Sequence, residues 1–126
     1  MKLKNQLFKI NDITPTDDGM VCHVSLLPDC IIYKAHFPKQ PITPGVCIVQ
    51  MAKELIETYL ERAYEISEIK NVKFLYILSP IESPEVIFTF SKVDVDTTGN
   101  TVSAKVDVAD DNHLFTTISF TCEAKQ

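Results

Sequence analysis

One stretch of the chain, Gly45 to Tyr64, carries the only strong helical period, and most of the sequence after it alternates in twos. At 100° per residue, Ile48, Ala52, Leu55, Ile56, Tyr59 and Ala63 fall on one stripe, with Gln50, Glu54, Glu57 and Glu61 opposite. A lone amphipathic helix must bury its stripe against something flat, and the later sequence supplies it. Ile66 to Leu78 is rich in strand formers. Val86, Phe88 and Phe90 then alternate with polar or smaller residues, as do Val102, Ala104, Val106 and Val108, and then Leu114, Thr116, Ile118, Phe120 and Cys122. Thr98-Gly99-Asn100 and Asp110-Asp111-Asn112 are turn signals between these runs. Strands joined by such short turns must pair antiparallel.

Two further segments precede the helix, Lys2 to Ile10 and Met20 to Leu27, separated by Asp17-Asp18-Gly19 and expected to form a hairpin. Pro28, Pro38, Pro41 and Pro44 bracket one long loop before the helix, and Pro80 and Pro84 bracket another after it. Pro44 sits where a missing N–H does no harm to a helix, and Thr43 is a candidate cap. The order is two strands, a loop, one long helix, then about four strands. This is an α+β domain, residues 1–126, with one helix packed on an antiparallel sheet of about six strands. Dimerisation that continues the sheet is one way to manage its edges.

Composition narrows the function. At 126 residues there is material for one domain, and 45% apolar content is enough for a core. A formal net charge of −5 argues against a nucleic-acid binder. No apolar run reaches the length of a membrane span, and the N-terminus MKLKNQLFKI does not read as a secretory signal. Cys22, Cys30, Cys47 and Cys122 have no zinc spacing and are expected as reduced thiols in a cytoplasmic protein. No metal or cofactor is expected. His23 and His113 fall in or beside strands and are expected to be structural.

The chemistry concentrates in His36-Phe37-Pro38-Lys39-Gln40-Pro41-Ile42-Thr43-Pro44-Gly45-Val46 and the helix beyond it. A histidine on a proline-stiffened loop is held at lower entropic cost. A helix opening on Pro-Gly offers unpaired N–H groups, a partial positive charge and a backbone that a ligand can approach closely. Such a tip would stabilise an oxygen that gains negative charge, as in an enolate-like thioester.

The string H-F-P-x-x-P-x-x-P-G-V followed by a helix resembles the active-site signature of the 3-hydroxyacyl-(acyl carrier protein) dehydratases of bacterial fatty-acid synthesis, which have the hotdog fold. Val72-Lys73-Phe74 and the prolines after it are similar to that family's third strand. The resemblance implies His36 as catalytic base, the Gly45 N–H on the thioester carbonyl, and Phe37 and Val46 as neighbouring substrate-binding positions. It also implies a dimer whose active sites combine histidine from one chain with the acid from the other. At the acid position this chain has Gln50 instead of Glu or Asp, and Lys39 stands where the family usually has glycine. Many of these dehydratases place Gln four residues after the acid; here Gln50 and Glu54 carry the two side-chain types in reverse order.

An amide can hold a leaving hydroxyl but cannot hand over a proton. Losing one acid–base partner costs roughly 10²–10⁴ in rate. Glu54, one helical turn away, is either a substitute acid or part of a solvated stripe with Glu57 and Glu61. Three functions fit these residues. One is a dehydratase of acyl carrier protein or coenzyme A thioesters, giving a trans-2-enoyl product. The second is a non-catalytic or half-site subunit, in a homodimer, a heterodimer with another hotdog chain, or a higher oligomer. The third is a hotdog thioesterase. Acyl carrier proteins are acidic, so Lys34, Lys39, Lys53, Lys70 and Lys73 are candidate docking residues.

Overall fold

A computed structural model describes residues 2–126. The elements run β1 (Phe8–Pro15), β2 (Met20–Leu26), α1 (Ile31–Ala35), α2 (Gly45–Leu60), β3 (Tyr64–Phe74), β4 (Glu85–Val95), β5 (Thr101–Ala109) and β6 (Leu114–Ala124). All six strands form one antiparallel sheet in the order β1-β2-β4-β5-β6-β3. The β4-β5-β6 meander matches the turn spacing. At its first turn Gly99 has φ 77°, a left-handed conformation glycine adopts without penalty. The Asp96 carboxylate there accepts the N–H groups of Asn100 and Thr101.

Alternation decides which side chains reach the core. Val86, Phe88 and Phe90 of β4, Val102, Ala104, Val106 and Val108 of β5, and Ile118, Phe120 and Cys122 of β6 are buried. They share one core with Ile48, Met51, Ala52, Leu55 and Ile56 of α2. Each large side chain buried there contributes about 1.5–3 kcal/mol. This is the hotdog arrangement, a helix packed on an antiparallel sheet. Among the described residues no helix is long and apolar enough to cross a membrane.

The element limits differ from expectation in four places. α2 stops at Leu60 instead of Tyr64, because Glu61 turns into the left-handed region (φ 55°, ψ 45°) and its N–H closes back on the Glu57 carbonyl. Tyr64 instead opens β3, its hydroxyl donating to the Gly99 carbonyl at 2.9 Å. The first strand begins at Phe8 and runs on to Pro15. Before it, Gln6 and Leu7 donate to the Leu3 carbonyl in a tight turn that buries Leu3 and Leu7. β3 ends at Phe74, and beyond it the Leu75 and Tyr76 N–H groups both bond to the Phe115 carbonyl. The proline-rich loop holds α1, whose five residues are too few to show a period.

Candidate active site

The loop from His36 to Gly45 is clamped at several points. His36 caps α1, its N–H donating to the Ile32 carbonyl at 2.9 Å. Phe37 and Gln40 exchange backbone hydrogen bonds, and Ile42 N–H returns to the His36 carbonyl at 2.7 Å. Thr43 N–H donates to the Leu78 carbonyl at 2.8 Å, tying the loop to the segment after β3. The Tyr33 hydroxyl shares a buried 2.8 Å hydrogen bond with Thr43 Oγ1. Burial pushes the Tyr33 phenol up to about 12 against the opposing effect of that bond. Tyr33 thus braces both ends of the loop, and no motif in the sequence marks it.

The Tyr33 contact also changes the helix tip. Thr43, expected to cap α2, has its hydroxyl turned to Tyr33; Pro44 is the N-cap and provides no side-chain hydrogen bond. The Pro44 carbonyl accepts the Cys47 and Ile48 N–H groups at 2.9 and 3.2 Å. The first helical N–H groups, at Gly45 and Val46, have no acceptor within a helix. They aim a partial positive charge out of the fold.

Gly45 forms part of an open trough of about 360 Å³ with Ile42, Thr43, Ile48 and the run Phe74 to Leu78. The Phe74 ring lies over the glycine: a Cβ built at Gly45 would stand 2.6 Å from Phe74 Cζ. Val46, Phe37, Phe74, Leu75, Tyr76 and Ile77 are each more than half exposed. An apolar surface of this kind surrounds the helix tip and continues along the end of β3, an edge strand of the sheet.

The His36 ring is exposed and packs edge-on against Phe37, with centroids 5.7 Å apart. It does not line the trough, although its carbonyl is one hydrogen bond from the trough residue Ile42. Among the described residues no side chain hydrogen-bonds the ring.

Gln50 and Glu54 meet directly, the Gln50 amide donating to Glu54 Oε2 at 2.8 Å. Glu54 is only 2% exposed, whereas Glu61 is exposed, so these two share no solvated stripe. Glu54 Oε2 also accepts the Leu3 N–H at 2.8 Å, and Oε1 accepts the Lys4 N–H at 2.7 Å. The carboxylate therefore anchors the N-terminal turn to the middle of α2. Glu57 has an analogous role, accepting the Tyr64 N–H at 2.8 Å.

The other chemistry-bearing residues are engaged elsewhere. His23 Nδ1 pairs with Asp12 at 2.9 Å, and His113 stacks on Tyr76 at 3.8 Å. All four cysteines are free, and burial pushes the Cys22 and Cys122 thiols up to about 12. No group of His, Cys, Asp and Glu that could hold a metal ion occurs among the described residues.

Fold and loop together define a class, the hotdog proteins that include dehydratases and thioesterases, and solved structures share this architecture. One is the dehydratase heterocomplex ApeI:P from Xenorhabdus doucetiae, with TM-score 0.65 and 20% identity over 90% of this chain and 96% of that one. Another is a hypothetical thioesterase from Streptococcus pneumoniae TIGR4 with coenzyme A, with TM-score 0.62 and 9% identity over 94% and 85%. A conserved protein from Pseudomonas aeruginosa reaches TM-score 0.65 at 9% identity over 98% and 92%. At these identities the likeness establishes the fold alone. No curated protein sequence matches. The family model described as ApeI dehydratase matches residues 12–113, and the chain belongs to this ApeI-like family.

Proposed function

We propose that this protein is a cytoplasmic dehydratase of 3-hydroxyacyl thioesters, working as a dimer whose partner chain completes each site. The observation that carries this reading is the clamped His36–Gly45 loop. It presents an exposed imidazole and an uncapped helix tip beside an apolar surface that a second chain would cover. A free edge strand, β3, next to that surface gives a second copy or a related hotdog chain somewhere to pair. The carrier is acyl carrier protein or coenzyme A; Lys34 and Lys39, exposed on either side of His36, suit an acidic carrier.

In this reading His36 takes the α-proton of the thioester. The released electron pair forms the Cα–Cβ double bond, and the Cβ–O bond breaks. The His36 imidazolium then passes that proton to the departing 3-hydroxyl, which leaves as water. The first-turn N–H groups of α2 hold the carbonyl oxygen as it gains charge. Phe37 and Val46 give apolar contact beside it.

Gln50 orients the hydroxyl without supplying its proton. Glu54 is poorly placed to supply it, because backbone N–H groups occupy both its oxygens. That geometry favours a second reading, a half-site subunit that acts beside a complete hotdog chain.

The test is turnover of 3-hydroxyacyl thioesters by the purified protein and by His36→Ala and Gln50→Glu. A dehydratase should lose roughly 10²–10⁴ in rate in the histidine variant. It should gain rate in Gln50→Glu, where a second carboxyl beside Glu54 would retain its proton through like-charge repulsion. Turnover only after mixing with another hotdog chain establishes the half-site reading. Release of free thiol without enoyl product, or turnover indifferent to His36, refutes the dehydratase reading.

A further inference from the structure

We propose that Phe74 is the specificity-determining side chain of this site, gating the Gly45 tip and discriminating against acyl groups branched at the α-carbon. The inference rests on the thioester reading above but adds a residue and a substrate class to it. Phe74 is the last residue of β3, so its backbone is fixed by pairing with Thr116 of β6. Its ring leaves the sheet and ends against Gly45, with Cζ, Cε1 and Cε2 at 2.6, 2.9 and 3.1 Å from where a Cβ would stand. The ring therefore fills the space that only the missing glycine side chain leaves open. It is also 55% exposed in the single chain.

A thioester oxygen bound at the N–H groups of Gly45 and Val46 places its α-carbon two bonds away, at the end of the trough that Gly45 and Phe74 line together. The Phe74 ring is then the wall against which the α-carbon packs. A bare CH₂ passes beside the ring edge, whereas an α-methyl group competes with it for the same volume. One methyl group in an apolar site is commonly discriminated by roughly 10–200-fold. Leu75 to Ile77 continue the same wall along the trough, where an acyl chain can extend, so the restriction falls at the α-position.

The experiment compares kcat/KM for 3-hydroxybutyryl-pantetheine and 2-methyl-3-hydroxybutyryl-pantetheine in the parent, Phe74→Ala, Phe74→Leu and His36→Ala. Calorimetry with the two corresponding ketone analogues, which lack the 3-hydroxyl and so have no water to lose and in which CH₂ replaces the thioester sulfur, reads binding without turnover. The parent should prefer the unbranched compound by at least about tenfold. Phe74→Ala should remove most of that preference, mainly by raising kcat/KM for the branched substrate, with Phe74→Leu between the two. Native mass and melting temperature confirm that each variant keeps the parent's assembly. An unchanged preference in a folded Phe74→Ala or Phe74→Leu protein overturns the gate, as does a parent with no preference. Loss of turnover in His36→Ala alongside that result leaves the dehydratase reading standing. If the parent lacks turnover, that reading fails and the ketone analogues alone decide the gate.

Discussion

Glu54→Gln separates a structural carboxylate from a catalytic one. The native side chain is 2% exposed and accepts three hydrogen bonds, from Leu3 N–H, Lys4 N–H and the Gln50 amide, at 2.7–2.8 Å. Hydrogen bonds to a charged group contribute about 1.5–3 kcal/mol each. A glutamine keeps one acceptor oxygen and turns an NH₂ toward at least one of the three donors. One backbone bond is then lost, another becomes neutral, and a donor faces a donor. Relief of the desolvation penalty on the buried charge offsets part of this. The net expectation is a loss of about 2–4 kcal/mol, which at about 4 °C per kcal/mol lowers the melting temperature by roughly 8–16 °C. Urea unfolding gives the free energy, and amide exchange at Leu3 and Lys4 shows whether the N-terminal turn has come loose. Dehydration is assayed well below the new melting point. Stability within about 0.5 kcal/mol of the parent, with Leu3 and Lys4 still protected, would refute the anchoring argument. Full stability with lost turnover would identify Glu54 as the acid.

Tyr33→Phe removes the hydroxyl shared with Thr43 and should cost about 1–2 kcal/mol in urea unfolding, with turnover falling further than stability explains. Thr116 Oγ1 is buried with no hydrogen-bond partner among the described residues, so Thr116→Val should raise the unfolding free energy by about 1 kcal/mol in the same measurement. The Asp110 carboxyl is held below its ordinary 3.8 by the Ser83 hydroxyl and by the N–H groups of Asn112 and His113. Because its folded pKa is depressed, the stability it contributes is present above 3.8 and is lost as pH falls through the lower folded value. Asp110→Asn should flatten that acid limb of the stability–pH curve. Cys22 and Cys122, pushed up to about 12, should resist a disulfide thiol reagent at about pH 8 until the protein unfolds. Half-buried Cys30 should be labelled first, as peptide mapping would show.

The sheet was legible wherever one face is buried and the other is not. In β5 the alternation Val102, Ala104, Val106, Val108 is also the burial pattern, because a slip of one residue would expose all four. The edge strands were harder to read for the same reason in reverse. β1 has little buried face, so its polar residues Asn11, Asp12 and Thr14 hid a strand that runs on to Pro15. β3 is mostly exposed and carries two bulges, and its exposed apolar residues serve no core within the chain. In α2 the helical period located the element but misassigned Glu54. Its position opposite the stripe is a helical property, whereas its burial comes from the N-terminal turn folding over that side.

The candidate site shows the same division between local and non-local information. His36 and Gly45 could be named from the sequence because loop and helix start are contiguous, and their chemistry depends on residue type and spacing. Tyr33 and Phe74 could not, since each acts only through a contact made by the fold: a hydroxyl on Thr43, and a ring on a glycine 29 positions earlier in the chain. Both contacts converge on the start of α2. Tyr33 draws Thr43 away from the helix end and leaves the first N–H groups uncapped. Phe74 packs its ring against Gly45, where a Cβ would otherwise stand. A helix start left without a side-chain cap is a poor arrangement for stability alone, since a capping side chain would add about 1 kcal/mol. Under the proposed function, the substrate's carbonyl oxygen takes the cap's place.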